Sequence, residues 1–222
     1  MIKYILNSIR NKDADSKLSV VLRHPRREEM TDVTDSFNTP LVNEGREMAV
    51  KLGKKLFSHF SYNFYHSHVP RCIETADLIL KGINNSKKDE KSKISGVKEF
   101  LGGFFLLDSN YILNLVNEIS GDVFIAKWYE NKLDQNKIIP FQKTSNLLIQ
   151  YILESIDEDN KNVIEFFITH DWNIIPIMSK VLDITGPDFF WPSYFEPIIL
   201  EKTVDEINIS FREHCKSFEV SP

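Results

Sequence analysis

Two apolar runs constrain this chain more than any other feature, and each stops abruptly at a histidine set beside charge. The first, Val20-Val21-Leu22, leads into Arg23-His24-Pro25-Arg26-Arg27. The second, 162–169, ends Phe166-Phe167-Ile168-Thr169 and leads into His170-Asp171. Short continuous runs rich in β-branched and aromatic residues read as strands buried on both faces. Ionisable groups at the ends of such strands make a poor core. They stand instead at the rim of a sheet, where a ligand can reach them.

The chain between the two runs has an α/β rhythm. A polar segment, 28–39, closes at Pro40 and reads as a loop over the first strand end. Asn43 is expected to cap a helix in which Ala49, Leu52, Leu56 and Phe60 share a face. A second strand is expected at 62–67. Pro70 then opens a helix with Arg71 in its first turn, where exposed N–H groups and the positive helix end favour an anion. Residues 81–98 are mostly Lys, Asp, Asn and Ser without periodicity, and read as a solvated insertion. Helical spacing returns around 112–119, 123–133 and 141–156, and again at 174–182. The tail offers strand-like runs at 197–201 and 207–212, expected as an antiparallel hairpin at a sheet edge. Ahead of everything, Ile2, Ile5, Leu6 and Ile9 mark a short amphipathic helix. The expected fold is a three-layer α/β/α sandwich around a mostly parallel sheet, with antiparallel strands near the C-terminus.

With 222 residues, 42% hydrophobic, the chain fits one domain, 1–222, with 81–140 as an inserted cap region. A net charge of -5 argues against nucleic acid or an anionic membrane as general partners, so an anion site must come from locally gathered arginines. No run of about 18 apolar residues occurs, which predicts no membrane span. The two cysteines, Cys72 and Cys215, offer neither a disulfide framework nor a zinc cluster and suit a reducing, cytoplasmic setting.

Three strand ends thus carry His24 with Arg23 and Arg27, then Arg71, then His170 with Asp171. If the strands are parallel neighbours these groups converge, and the chemistry is coherent. Guanidiniums offer forked donors to phosphoryl oxygens, a neutral imidazole attacks phosphorus, and a carboxylic acid protonates the departing oxygen. No cofactor is called for. His66 and His68, two apart on a strand, could begin a metal site, but no third ligand is apparent. Trp172 and Trp191 are expected near the site; Phe104, Phe105, Trp128 and Tyr194 read as core. His59, His214 and the acidic run Asp157-Glu158-Asp159 read as surface.

These residues resemble, in order, the motifs of the histidine phosphatase superfamily. Leu22-Arg23-His24-Pro25-Arg26-Arg27 resembles its RHG signature, and Pro40-Leu41-Val42-Asn43-Glu44-Gly45 its P-L-T-x-x-G helix start. Ser67-His68-Val69-Pro70-Arg71-Cys72-Ile73-Glu74-Thr75-Ala76 is similar to S-x-x-x-R-x-x-x-T-A, and Thr169-His170-Asp171-Trp172-Asn173 to S-H-D-x-N. The resemblance implies a phosphoglycerate-mutase-like fold and a phosphomonoesterase working through a phosphohistidine on a small phosphorylated substrate. It makes His24 the nucleophile, Arg23, Arg27 and Arg71 the phosphate clamp, and His170 a further phosphate ligand. Arg27 and the His-Asp pair resemble the acid-phosphatase-like branch, which implies Asp171 as proton donor and a mildly acidic optimum. Glu99, before Phe100-Leu101-Gly102-Gly103, is the alternative donor by likeness to the mutase-like branch. Where the family has glycine after the histidine, this chain has Pro25, which lacks an N–H to face the phosphate. Either Arg26 and Arg27 compensate or turnover is weakened. The rival readings are a mutase-like phosphotransferase and a phosphate-binding module of weak activity.

Overall fold

The structure is a computed structural model that describes residues 1–87, 91–156, 162–183 and 191–219. The leading helix α1 (Ile2–Arg10) buries Ile5 and Ile9, and the first apolar run becomes β1 (Lys17–Arg23), buried at every position. After it come α2 (Asn43–Lys55), β2 (Ser61–His66), α3 (Pro70–Lys87) and β3 (Lys93–Val97). Three helices follow, α4 (Ser109–Ile119), α5 (Gly121–Tyr129) and α6 (Phe141–Glu154). The second apolar run forms β4 (Val163–Thr169) and leads directly into α7 (Asp171–Val181). The chain closes with β5 (Pro197–Lys202), β6 (Glu206–Phe211) and β7 (His214–Glu219).

The strands make one sheet in the order β3-β2-β4-β1-β5-β6-β7. The first four are parallel, and the last three join by antiparallel pairing. The central strands are apolar on both faces because helices cover both. Leu18, Val20 and Leu22 pack with Phe64, Phe166 and residues of α1, α2 and α3 on one face. Val21, Phe167 and Ile198 pack with residues of α4, α5, α6 and α7 on the other. Each fully buried side chain of this size contributes about 1.5–3 kcal/mol, which fixes the sandwich. The backbones of α2 and α3 touch: a Cβ on Gly53 would lie 2.0 Å from the Ile79 carbonyl oxygen.

Several expectations change. Asn43 is the first residue of α2, not its cap; Val42 holds the cap position without a side-chain bond. The polar stretch 81–98 contains the last turns of α3, with Ile83 fully buried, and the edge strand β3. An edge strand and a half-exposed helix need few apolar residues, so their periodicity is faint. The expected hairpin gains a third strand, β7, whose exposed alternate residues hide the pattern. The acidic run Asp157-Glu158-Asp159 lies outside the described residues.

Candidate active site

The sheet order puts β2, β4 and β1 side by side, and their registers align Arg23 with Thr169 and His66 with Ile168. His24, Ser67 and His170 therefore follow three adjacent strand ends at one rim. Because β5 runs the other way, the residues preceding it reach the same rim; Phe195 N–H donates to the His24 carbonyl at 3.3 Å. A cavity of about 470 Å³ opens there, lined by His24, Arg27, Arg71, His170 and Asp171.

His24 is 2% exposed, and its hydrogen bonds settle its tautomer. Nδ1 lies 2.8 Å from the Pro25 carbonyl oxygen, which can only accept, so Nδ1 carries the proton. Nε2 lies 2.9 Å from Arg71 Nε, which can only donate, so Nε2 presents its lone pair. Burial, then the neighbouring His170 and the Arg71 and Arg23 charges, push the imidazole pKa well below 6.5 and keep the ring neutral. The bond that orients His24 uses the carbonyl of residue 25, which proline keeps. The loop is held further by Val42 N–H on the Arg26 carbonyl at 3.1 Å and Glu28 N–H on that of Pro40 at 2.9 Å. Gly45 permits this approach, since a Cβ there would sit 2.5 Å from the Arg26 oxygen.

Arg71 joins three partners. Besides His24, it donates to the Ser36 carbonyl and, from Nη2, to His170 Nδ1 at 3.1 Å. His170 must then hold its proton on Nε2, 2.9 Å from Ser67 Oγ. Burial and the Arg71 charge bring its pKa down to about 3, so it is a neutral ligand at ordinary pH. Arg27 lines the cavity half-buried, donating from Nη1 to the Glu28 carbonyl at 2.8 Å.

Arg23, 5% exposed, turns toward Asp171. Its Nη2 meets Asp171 Oδ2 at 2.5 Å, Nη1 donates to the Pro192 carbonyl, and the guanidinium lies 4.1 Å from the centre of the Tyr194 ring. Arg23 Nε is buried with no partner among the described residues, a donor that a phosphoryl oxygen would satisfy. Asp171 also accepts from Trp191 Nε1 at 3.0 Å and from the Trp172 N–H at 3.0 Å. Burial opposes ionisation, but Arg23 and these donors win and hold the carboxyl below the usual carboxylate range. In the ligand-free protein the buried guanidinium thus favours Asp171 as a carboxylate. Glu99 sits in a 3-10 turn (Glu99–Gly102) just past β3, its side chain 85% exposed and 3.9 Å from His68 Nδ1.

The structure thus gathers His24, Arg27, Arg71, His170 and Asp171 in one cavity, keeps Arg23 directly behind Asp171, and leaves Glu99 at its margin. Trp172 and Trp191 do line the cavity, and so does Phe105 from the core. His66 and His68 part company: His66 is 4% exposed and bonded through Nδ1 to the Ser67 carbonyl, whereas His68 faces the cavity and stacks on Phe37. Tyr194, read as core from the sequence, lies against His24 and Arg23, and the Ser36 carbonyl accepts from Arg71, a backbone contact that carries no side-chain signal.

The family model for the histidine phosphatase superfamily (branch 1) matches residues 20–95, a span that includes His24 and Arg71. Over that span the chain is similar to the histidine phosphatase superfamily. Among solved structures it resembles Bacillus stearothermophilus YhfR, with 18% identity, a TM-score of 0.60, and 92% of this chain and 98% of that one covered. It also resembles the phosphoglycerate mutase of Bacillus anthracis str. Sterne (18% identity, TM-score 0.57, 90% and 94% covered). A third is a phosphoserine phosphatase from Entamoeba histolytica solved with 3-phosphoglyceric acid (16%, 0.54, 83% and 90%). No curated protein matches the sequence. At these identities the structural likeness is one of fold, and it is phosphoglycerate-mutase-like; nothing in it favours the acid-phosphatase-like branch. The family-model match supports phosphatase or phosphotransferase activity, and no described helix is long and apolar enough to cross a membrane.

Proposed function

We propose that the protein is a phosphomonoesterase acting through a phosphohistidine on His24. The observation that carries this is the fixed tautomer of His24, whose Nε2 lone pair points at Arg71 in a cavity rimmed by guanidiniums. An arriving phosphoryl oxygen takes over the Arg71 Nε–H, which frees Nε2 to attack phosphorus in line. Arg23, Arg27, Arg71 and the neutral His170 hold the equatorial oxygens as charge builds on them. The P–N bond forms, the ester P–O bond breaks, and the leaving alkoxide takes a proton. Water then attacks phosphorus and returns the phosphoryl group as phosphate.

The proton donor on this reading is Glu99. What supports it over Asp171 is the commitment of Asp171 to Arg23 and Trp191, which makes that carboxylate an orienting group for Arg23. Glu99 lies beside His68 of the cavity wall. Its carboxyl donates to the alkoxide, and the resulting carboxylate takes a proton from the hydrolytic water. Within 81–140, the expected cap region, α4 contributes Leu113 and Val116 to the cavity wall. Retention of the orienting carbonyl at Pro25 favours turnover over a mere phosphate-binding role.

The test is rapid alkaline quench during turnover of a labelled phosphomonoester. Wild type is expected to carry label on histidine and His24→Ala none. Equal labelling of the two, or hydrolysis unimpaired in His24→Ala, would overturn the assignment. Glu99→Gln is expected to slow alkyl phosphates at least tenfold more than p-nitrophenyl phosphate, whose leaving group needs no proton.

A further inference from the structure

The cavity is polar at one end only. Its floor is the phosphate machinery, His24, Arg27, Arg71 and His170, whereas the space beyond is walled by Val33, Phe105, Leu106, Leu113, Val116 and Trp191. Among the described lining residues, Arg27 and Arg71 are the only Arg or Lys, and both belong to the floor. A substrate carboxylate held away from the phosphate would find no cation there. Sugar hydroxyls meet few partners: the Asn173 Nδ2 group already donates to Thr169 Oγ1 at 2.7 Å and the Phe100 carbonyl at 3.1 Å, and the polar side chains beyond the floor are few, Ser109 and the edge of His68, whose ring is stacked on Phe37. Burying unpaired hydroxyls or a carboxylate against such a wall costs free energy, whereas burying methylenes or a ring returns it.

The apolar wall is also fixed in place. Val33 and Phe37 come from a 3-10 turn (Val33–Phe37) in the loop after β1, and Leu113 and Val116 from α4. One side chain ties these segments together: Asn117 of α4 donates from Nδ2 to Asp32 Oδ1 at 2.6 Å and accepts the Val33 N–H on Oδ1 at 2.9 Å. A wall tied together in this way is a preformed pocket for an apolar group.

We propose that the natural substrates are phosphomonoesters of uncharged apolar alcohols, aromatic or medium-chain alkyl, in preference to sugar or sugar-acid phosphates. This rests on the phosphomonoesterase reading of the same site. The alcohol portion lies between Val33 and Leu113 with its far end toward Val116, while the phosphoryl group sits on Arg71 beside His24.

The experiment uses primary alkyl phosphates, whose leaving groups are similar in basicity, so that differences report the pocket. Across ethyl, butyl and hexyl phosphate, kcat/KM is expected to rise about fourfold per methylene until the cavity is filled. Glucose 6-phosphate and 3-phosphoglycerate are expected at least tenfold below hexyl phosphate. Leu113→Asn is expected to lower the ratio of hexyl to ethyl turnover. A flat chain-length series, or a sugar phosphate that equals hexyl phosphate, overturns the proposal while leaving the phosphatase intact. Calorimetric binding of hexylphosphonate against ethylphosphonate and 3-phosphonopropionate needs no turnover. Hexylphosphonate binding at least tenfold tighter supports the apolar site even if no ester is hydrolysed, in which case the catalytic reading alone fails. Equal binding of the three overturns the proposal.

Discussion

Replacement of Asp171 separates an orienting carboxylate from a proton donor, because the two roles predict different losses. Asp171→Ala leaves Arg23 in a 5% exposed position without its counter-charge and leaves Trp191 Nε1 without its acceptor. Removing one member of a buried pair costs about 3–5 kcal/mol. Asp171 keeps 20% of its side-chain exposure and water can reach it, so the lower end applies. At about 2–4 °C per kcal/mol for a chain of this size, the melting temperature should fall by about 6–12 °C. Asp171→Asn keeps the shape and one acceptor but loses the charge, and about 1–2 kcal/mol is expected. Differential scanning calorimetry measures both. In kinetics, an orienting Asp171 predicts that Asp171→Asn lowers kcat/KM for p-nitrophenyl phosphate and for an alkyl phosphate by the same factor, since a misplaced Arg23 weakens phosphoryl binding for either. A proton donor predicts a loss confined to the alkyl ester. Selective loss in Asp171→Asn, with Glu99→Gln unselective, would refute the assignment of Glu99 and restore Asp171 as the acid.

Other consequences follow from the same geometry. Pro25→Gly retains the carbonyl that orients His24, so activity should change less than threefold while stability drops by about 0.4–1 kcal/mol through added freedom of the unfolded chain; a large gain in kcat would mean that the missing N–H limits turnover. Gly45→Ala drives a methyl into the Arg26 carbonyl and should cost about 1–3 kcal/mol, together with a loss of kcat from displacement of the loop after His24, read by denaturation and assay of the same sample. Stability should fall as pH drops below about 6.5. His24 and His170 are neutral when folded and titrate near 6.5 when unfolded, so the unfolded chain takes up protons first, at up to about 1.4 kcal/mol per pH unit for each ring. Asp171 acts in the opposite sense and only lower: its contribution is present above 3.8 and is lost as pH falls through its depressed folded value. Urea titrations at pH 7.5 and 5.0 check this, and a midpoint that does not fall would refute the neutral buried imidazoles. Activity should likewise persist below pH 6.5, because His24 stays deprotonated on Nε2 there.

The sequence by itself determined the strands that matter. Residues 20–22 and 166–168 are apolar at every step because both faces of β1 and β4 are covered, and such runs need no partner to be read. Their terminal histidines, and Arg71 at the start of α3, were legible for the same reason: charge at the end of a buried strand has nowhere to go but the rim. Weakly patterned elements were not legible. Edge strands β3 and β7 carry polar residues because half their surface meets solvent, and the 3-10 turn at Val33–Phe37 has no period to detect. Only the tertiary structure decided what the site groups do to one another. Arg23 and Asp171 are 148 positions apart, yet their contact sets the charge state of the carboxyl. The tautomer of His24 depends on a carbonyl next to it and a guanidinium 47 positions away. Sequence spacing carries the periodicity of a strand or helix, but hydrogen bonds and ion pairs act over a few ångströms in space, and only the packed sheet brings those distances into being.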